Sequence, residues 1–190
     1  MFKLNPIAAG VAVLACGMAL SPAAEAVTQN RLVTQTGANM CKLSVPTTDS
    51  AVRPRATGFR NEGTTNVFVV CTFNSPPGDN SGSVGIEDAG IYLYSMDGAN
   101  HAAVSCTGVN SLTDGAGFGI PAPQFVVKSH DVNNVGGFGA FGVAYWFNAS
   151  DFGDGTTIPT YGGSFSITCI LPPQVGIKVG FSNSNEDVGL

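Results

Sequence analysis

Four cysteines on the apolar phase of strand-like segments constrain the fold more than any other feature of this 190-residue chain. Apolar residues recur with a period of two, and no segment has a convincing helical period. The clearest half-buried strand spans 163–171, where apolar residues alternate with Ser or Thr. The same phase places every one of these cysteines on the apolar side of a predicted strand: Cys41, Cys71, Cys106 and Cys169. Disulfides between strands or sheets inside a core occupy such positions.

Strands with turn-rich connections predict an all-β domain, an antiparallel β-sandwich of jelly-roll type. With 25 Gly and only 11% charged residues, the composition argues against a coiled coil or a helical bundle. We expect 27–37 to be a loose arm, 46–54 a connection and 183–190 a polar tail. The predicted strands are 40–45, 66–73, 86–96, 102–108, 124–128, 139–147, 163–171 and 175–181.

Residues 1–26 are predicted to be a cleaved signal peptide. Lys3 precedes an apolar stretch over 7–20, and 24–26 (AEA) fits the small-x-small cleavage pattern. The stretch is shorter than the ~20 residues that a transmembrane helix needs, so we expect no transmembrane segment in the mature chain. The alternative is a lipoprotein signal, with Cys16 lipidated. With cleavage after residue 26, we expect residues 27–190 to form one disulfide-containing β-sandwich domain that is secreted or periplasmic.

Cleavage removes Cys16 and leaves an even number of cysteines, which predicts two disulfides in an oxidising compartment. Three pairings exist. We favour Cys41–Cys71 with Cys106–Cys169, because strand 40–45 precedes strand 66–73 and the two can be neighbours. A zinc site is disfavoured, because the chain has no C-x-x-C spacing and only two histidines.

The sequences around the cysteines, 70–73 (VCTF), 104–107 (VSCT) and 167–173 (ITCILPP), resemble those of small exported bacterial proteins with four cysteines. The resemblance implies a four-cysteine β-sandwich and a bacterial host. It carries over no functional residue.

The net charge is −5, which argues against nucleic acid or an anionic membrane surface as the partner. Calcium is the one cofactor with a candidate site: Asp151 and Asp154 lie three apart in a Gly-containing loop, and Ca²⁺ takes six to eight oxygen ligands. A plain Asp-Gly turn explains the same loop.

No catalytic residue is predicted. The histidines are His101 and His130, the latter followed by Asp131, but adjacent strand residues point to opposite faces and no G-x-S-x-G motif exists. A glycosidase needs two carboxyl groups across a sugar. The acids available for such a pair are Glu62, Glu87, Asp88, Glu186 and Asp187.

Ligand stacking has one candidate strand, 138–147 (FGAFGVAYWF), with Trp146 and Tyr145 as candidate binding residues. Trp146 shares its phase with Ala and Gly, which leave either an open aromatic face or room for a covering layer. We favour burial of Trp146.

The sequence therefore indicates an exported non-enzymatic protein, a binding module or a cell-surface or extracellular structural module. Its expected partner is a carbohydrate or a surface protein. The alternative is a secreted hydrolase acting on polysaccharide or another extracellular polymer.

Overall fold

A computed structural model describes residues 27–45, 51–74, 85–111, 123–134, 140–153, 158 and 164–188. The predicted signal peptide lies outside these residues. The strands are β1 (Thr28–Thr36), β2 (Cys41–Leu43), β3 (Val52–Arg55), β4 (Gly58–Asn61), β5 (Val67–Phe73), β6 (Gly85–Ser95), β7 (His101–Ser111), β8 (Gln124–Asn134), β9 (Ala140–Phe147), β10 (Ser164–Leu171) and β11 (Val175–Asp187). Two single-turn helices are α1 (Gly37–Met40) and α2 (Asn148–Asp151).

The strands form two antiparallel sheets. Sheet A has the order β3-β4-β11-β6-β9, with β1 along the distal part of β11, and sheet B has the order β2-β5-β10-β7-β8. The end of β8 pairs with β9 and joins the two sheets at one side. From β4 to β11, strands 4, 6, 9 and 11 lie in sheet A and strands 5, 7, 8 and 10 in sheet B. This alternation is the jelly-roll arrangement, so the predicted all-β sandwich is confirmed.

The core lies between the sheets, because each strand turns alternate residues inward. Ile91, Leu93 and Ile177 of sheet A are fully buried, as are Val69 and Ile167 of sheet B. Both disulfides lie in sheet B and face this core. Each joins directly opposite residues of neighbouring strands, Cys41–Cys71 between β2 and β5 and Cys106–Cys169 between β7 and β10. The favoured pairing is the one that the structure contains.

The predicted loose arm and the inner part of the polar tail are wrong. Residues 28–36 form β1, and β11 continues to Asp187, because the two segments pair with each other from Thr28 opposite Asp187 to Thr36 opposite Val179. Most β1 side chains are exposed, so the strand has no apolar face that a sequence pattern could reveal.

Further differences are local. Strand β3 occupies part of the predicted connection 46–54, and β4 was not predicted. The predicted strand 86–96 is β6, and its register with β11 shifts between Asn183 and Ser184. No helix in the described part of the chain is long and apolar enough to cross a membrane.

Candidate functional site

Trp146 and Tyr145 are adjacent on β9 and therefore face opposite sides of sheet A. Trp146 is fully buried between the sheets, and its indole Nε1 donates a hydrogen bond to the carbonyl of Val126, at 3.0 Å. Gly108 of sheet B leaves room for the indole, because a Cβ at this position would lie 2.7 Å from Trp146 Nε1. Trp146 is thus a core residue and no ligand platform, whereas Tyr145 lies on the outer face.

Lys128 lies beside the Trp146 indole. Its Nζ donates to the Tyr145 carbonyl and to Asp151 Oδ2, both at 2.7 Å, and lies 5.8 Å from the centre of the Trp146 ring. Asp151, one of the two candidate calcium ligands, thus pairs with Lys128, and Asp154 lies outside the described residues. No described cluster of three or more His, Cys, Asp or Glu is placed to hold a metal ion. The calcium site stays a prediction.

The outer face of sheet A carries a row of aromatic side chains, which we call the aromatic stripe: Tyr94, Tyr92, Phe181 and Tyr145. Phe181 of β11 and Tyr145 of β9 lie opposite Gly90 of β6, on either side of it. Their ring centres are 5.3 Å apart and the rings are stacked, while Tyr92 lies 5.4 Å from Phe181 at a tilted angle.

Gly90 allows the two rings to meet. A Cβ at this position would lie 2.5 Å from Phe181 Cζ and 2.8 Å from Tyr145 Cδ2. Any side chain at position 90 would push the two rings apart, so the stacked pair requires this glycine.

Polar groups flank the Tyr145 end of the stripe. Asn183 Nδ2 donates to both oxygens of Asp88, at 2.8 and 3.1 Å, and the Tyr145 hydroxyl is hydrogen-bonded to the same carboxylate. Burial and the neighbouring Asp88 raise the pKa of Tyr145 to about 12, so this hydroxyl stays protonated. Glu87 accepts hydrogen bonds from Asn30 and Asn185 beside this group.

Arginines flank the Tyr94 end. Arg60 Nε donates to the Tyr94 hydroxyl at 2.6 Å, and its guanidinium carbon lies 5.7 Å from the ring centre. Arg53, Arg55 and Arg60 all approach the Glu62 carboxylate, at 3.3, 2.7 and 3.8 Å. Hydrogen bonds from Arg55 and then Arg53 lower the pKa of Glu62 to about 2. We call these four residues the arginine cluster.

The stripe with its two polar ends is suited to an extended ligand. From Tyr94 to Asp88 is about 20 Å at the usual rise of ~3.3 Å per strand residue. Tyr92 is 39% exposed. Aromatic faces supply rigid contact area, and flanking amide, carboxylate and guanidinium groups supply directional hydrogen bonds.

The candidate hydrolase groups hold local structure instead. His101 Nε2 lies 3.1 Å from Asp97, whose pKa is lowered to about 2 by hydrogen bonds from Ser95, Ala99 and His101. Asp131 accepts a hydrogen bond from the backbone of Ala103 at 2.8 Å, where β7 is irregular. The structure does not bring these groups together as a nucleophile, base and acid.

The candidate glycosidase acids also make local contacts. Glu62 lies in the arginine cluster, Glu87 and Asp88 accept from asparagines, and Glu186 pairs with Arg31 at 3.1 Å. The Asp187 side chain is outside what the structure describes.

A concavity of about 280 Å³ lies against sheet B, away from the stripe, and is lined by Asn66, Ala102, Ala103, Val104, Ser105, Ile170 and Pro172. It has no aromatic or charged side chain in its lining, so it offers a ligand less chemistry than the stripe does.

The sequence analysis names Tyr145 as a candidate binding residue, which stays a prediction, and does not name the aromatic residues that the structure places beside it. In 86–96 the phase does separate Tyr92 and Tyr94 from the buried Ile91 and Leu93. In 175–181 it misleads, because Phe181 has the same phase as the buried Ile177, and the register shift between Ile177 and Val179 turns Phe181 to the outer face. What the sequence did not reveal is that β9, β6 and β11 are neighbours, which brings Tyr145, Tyr92 and Phe181 together.

No protein-family model matches the chain, and no curated protein matches it. Among solved structures, the chain is similar to a family 11 carbohydrate-binding module from Clostridium thermocellum, in complex with a β-1,3-1,4-mixed-linked tetrasaccharide. The TM-score is 0.34 and the identity 12%, over 85% of this chain and 86% of that chain. At this TM-score nothing about a ligand follows.

Proposed function

We propose that the protein is an exported carbohydrate-binding module that holds a polysaccharide chain along the aromatic stripe. The observation that carries the proposal is the stacked Tyr145–Phe181 pair, with Tyr92 exposed beside it and the Asp88–Asn183 pair at its end. Two disulfides in the sandwich fit a protein that works outside the cytoplasm.

The chemistry of the site supports a sugar over a purely apolar ligand. The aliphatic face of a pyranose ring packs on an aromatic ring, while its hydroxyl groups need hydrogen-bonding partners at the edge. The outer face of sheet A offers aromatic rings and hydrogen-bonding groups together, since Asp88 and Asn183 lie two residues along their strands from Gly90 and Phe181. Because the paired strands fix the positions of these side chains, little conformational entropy should be lost on binding.

The test is the Tyr92→Ala variant in affinity electrophoresis against a panel of soluble neutral and acidic polysaccharides. We expect at least a tenfold loss of affinity, about 1.4 kcal/mol, for the polysaccharide that the parent protein retains. The matched control is Phe125→Ala, which removes a 66%-exposed aromatic side chain from the outer face of sheet B.

Tryptophan emission provides a second readout. Trp146 is buried behind sheet A, so its emission should stay nearly constant on binding while tyrosine emission changes. Equal loss of retention in both variants, or no retention of any polysaccharide, would contradict the proposal.

A further inference from the structure

We infer that the polysaccharide bound along the aromatic stripe is acidic, and that the arginine cluster takes a carboxylate or sulfate group of its sugars. This inference rests on the proposed function and names the substrate class of the same face.

The first support is an excess of positive charge among the described side chains of the cluster. The whole chain has a net charge of −5 and only eight Lys and Arg residues, yet three arginines converge on the single carboxylate of Glu62. A self-contained ion-pair network has matched charges, whereas these four side chains sum to an excess of positive charge.

The second support is position. Arg60, Gly176 and Tyr94 are opposite one another on β4, β11 and β6, and Arg53 lies opposite Arg60 on β3. These side chains therefore lie on the outer face of sheet A, in the row where the stripe ends. The hydrogen bond from Arg60 to Tyr94 joins the cluster directly to the stripe.

The third support is the donors that the cluster presents. The side chains of Arg53 and Arg55 are 46% and 39% exposed, and Arg53 gives Glu62 one hydrogen bond from a guanidinium that carries five donors. A guanidinium binds a carboxylate or a sulfate through two parallel hydrogen bonds. Glu62 occupies the Nε and Nη2 donors of Arg55, at 2.9 and 2.7 Å, so a contact through two parallel hydrogen bonds with an anion falls first to Arg53.

The opposite end of the stripe gives the ligand a direction. Glu87 and Asp88 lie there, and an anionic group beside them would be repelled. The acidic substituent therefore lies at the Tyr94 end, while a sugar ring without a charge contacts the Tyr145–Phe181 pair.

The experiment compares an aldotriouronic acid, a trisaccharide with one uronic acid and two neutral sugars, with its methyl ester by calorimetric titration at low salt. We expect the acid to bind at least tenfold more tightly than the ester, with the difference shrinking as salt screens the charges. In Arg53→Gln/Arg55→Gln the difference should disappear, while the ester binds as before. The control is Lys42→Gln, which removes an exposed cation from sheet B and should change neither affinity.

Arg53→Gln alone serves if the double variant fails to fold, because Arg53 makes a single hydrogen bond to Glu62. A sulfated galactose trisaccharide in the same titration distinguishes sulfate from carboxylate as the preferred group.

The outcomes separate the two proposals. Equal binding of acid and ester, an acid preference that survives the arginine changes, or no binding of either anion overturns the inference. The neutral members of the polysaccharide panel, with Tyr92→Ala, then still test the stripe. If Tyr92→Ala binds the acid as tightly as the parent protein does, while the acid preference still depends on the arginines, the anion site is supported and the stripe is contradicted as the sugar platform.

Discussion

Trp146 shows how one residue can tie together several strands. Its ring fills the space over Gly108, its Nε1 donates to Val126, and the His130 ring meets it edge-on with the ring centres 6.1 Å apart. Trp146→Ala should lower the free energy of unfolding by about 3–5 kcal/mol, because it leaves a large cavity and an unsatisfied carbonyl. Thermal melts check this, with Tyr92→Ala as an exposed control expected to melt within a few degrees of the parent. A Trp146→Ala protein as stable as that control would contradict the core role.

At the scale of elements, the two disulfides differ in the chain they close. Cys106–Cys169 spans 63 residues and Cys41–Cys71 spans 30. In the chain-entropy model, replacing the first pair by serines should cost about 4 kcal/mol and replacing the second pair roughly half a kcal/mol less. Urea unfolding of the two double variants measures the difference. A larger loss for the Cys41–Cys71 variant would show that strain or packing outweighs loop entropy.

The elements also show what a sequence pattern can and cannot predict. Strands with their own alternation, such as β5 and β10, were predicted because half of each is in the core. Strand β1 and the outer part of β11 were not, because backbone hydrogen bonds between them stabilise segments with little apolar pattern. The alternation of residues along β9 predicts that Tyr145 and Trp146 face opposite sides of the sheet. The stacking of Tyr145 on Phe181 depends on which strands are neighbours, and that is set by the whole topology.

At the scale of the whole molecule, His130 makes stability depend on pH. Its Nε2 is buried and has no hydrogen-bond partner among the residues that the structure describes. Burial and then Lys128 lower the pKa of His130, although Asp131 opposes this. Asp151 pairs with the same Lys128. The unfolded chain therefore binds this proton at a higher pH than the folded chain, so stability falls as the pH drops below about 6.5.

The melting temperature should accordingly decrease between pH 7 and pH 5, and His130→Gln should flatten that decrease. Glu62 and Asp97 have pKa values of about 2, so their contributions are lost only in more acidic solution and do not overlap this window. An unchanged pH profile in His130→Gln would assign the effect to other groups.

The pairing of β1 with β11 decides how the sandwich responds to a pulling force. Thr28 and Asp187 lie side by side, so tension applied at these two positions peels the strands apart one rung at a time instead of shearing all rungs together. Peeling β1 stops at Cys41, which is covalently tied to Cys71. Peeling β11 removes Asn183 and then Phe181 from the sheet before it reaches Ile177 in the core. A molecule stretched between these two positions would therefore lose the Phe181–Tyr145 pair while most of the sandwich is still folded.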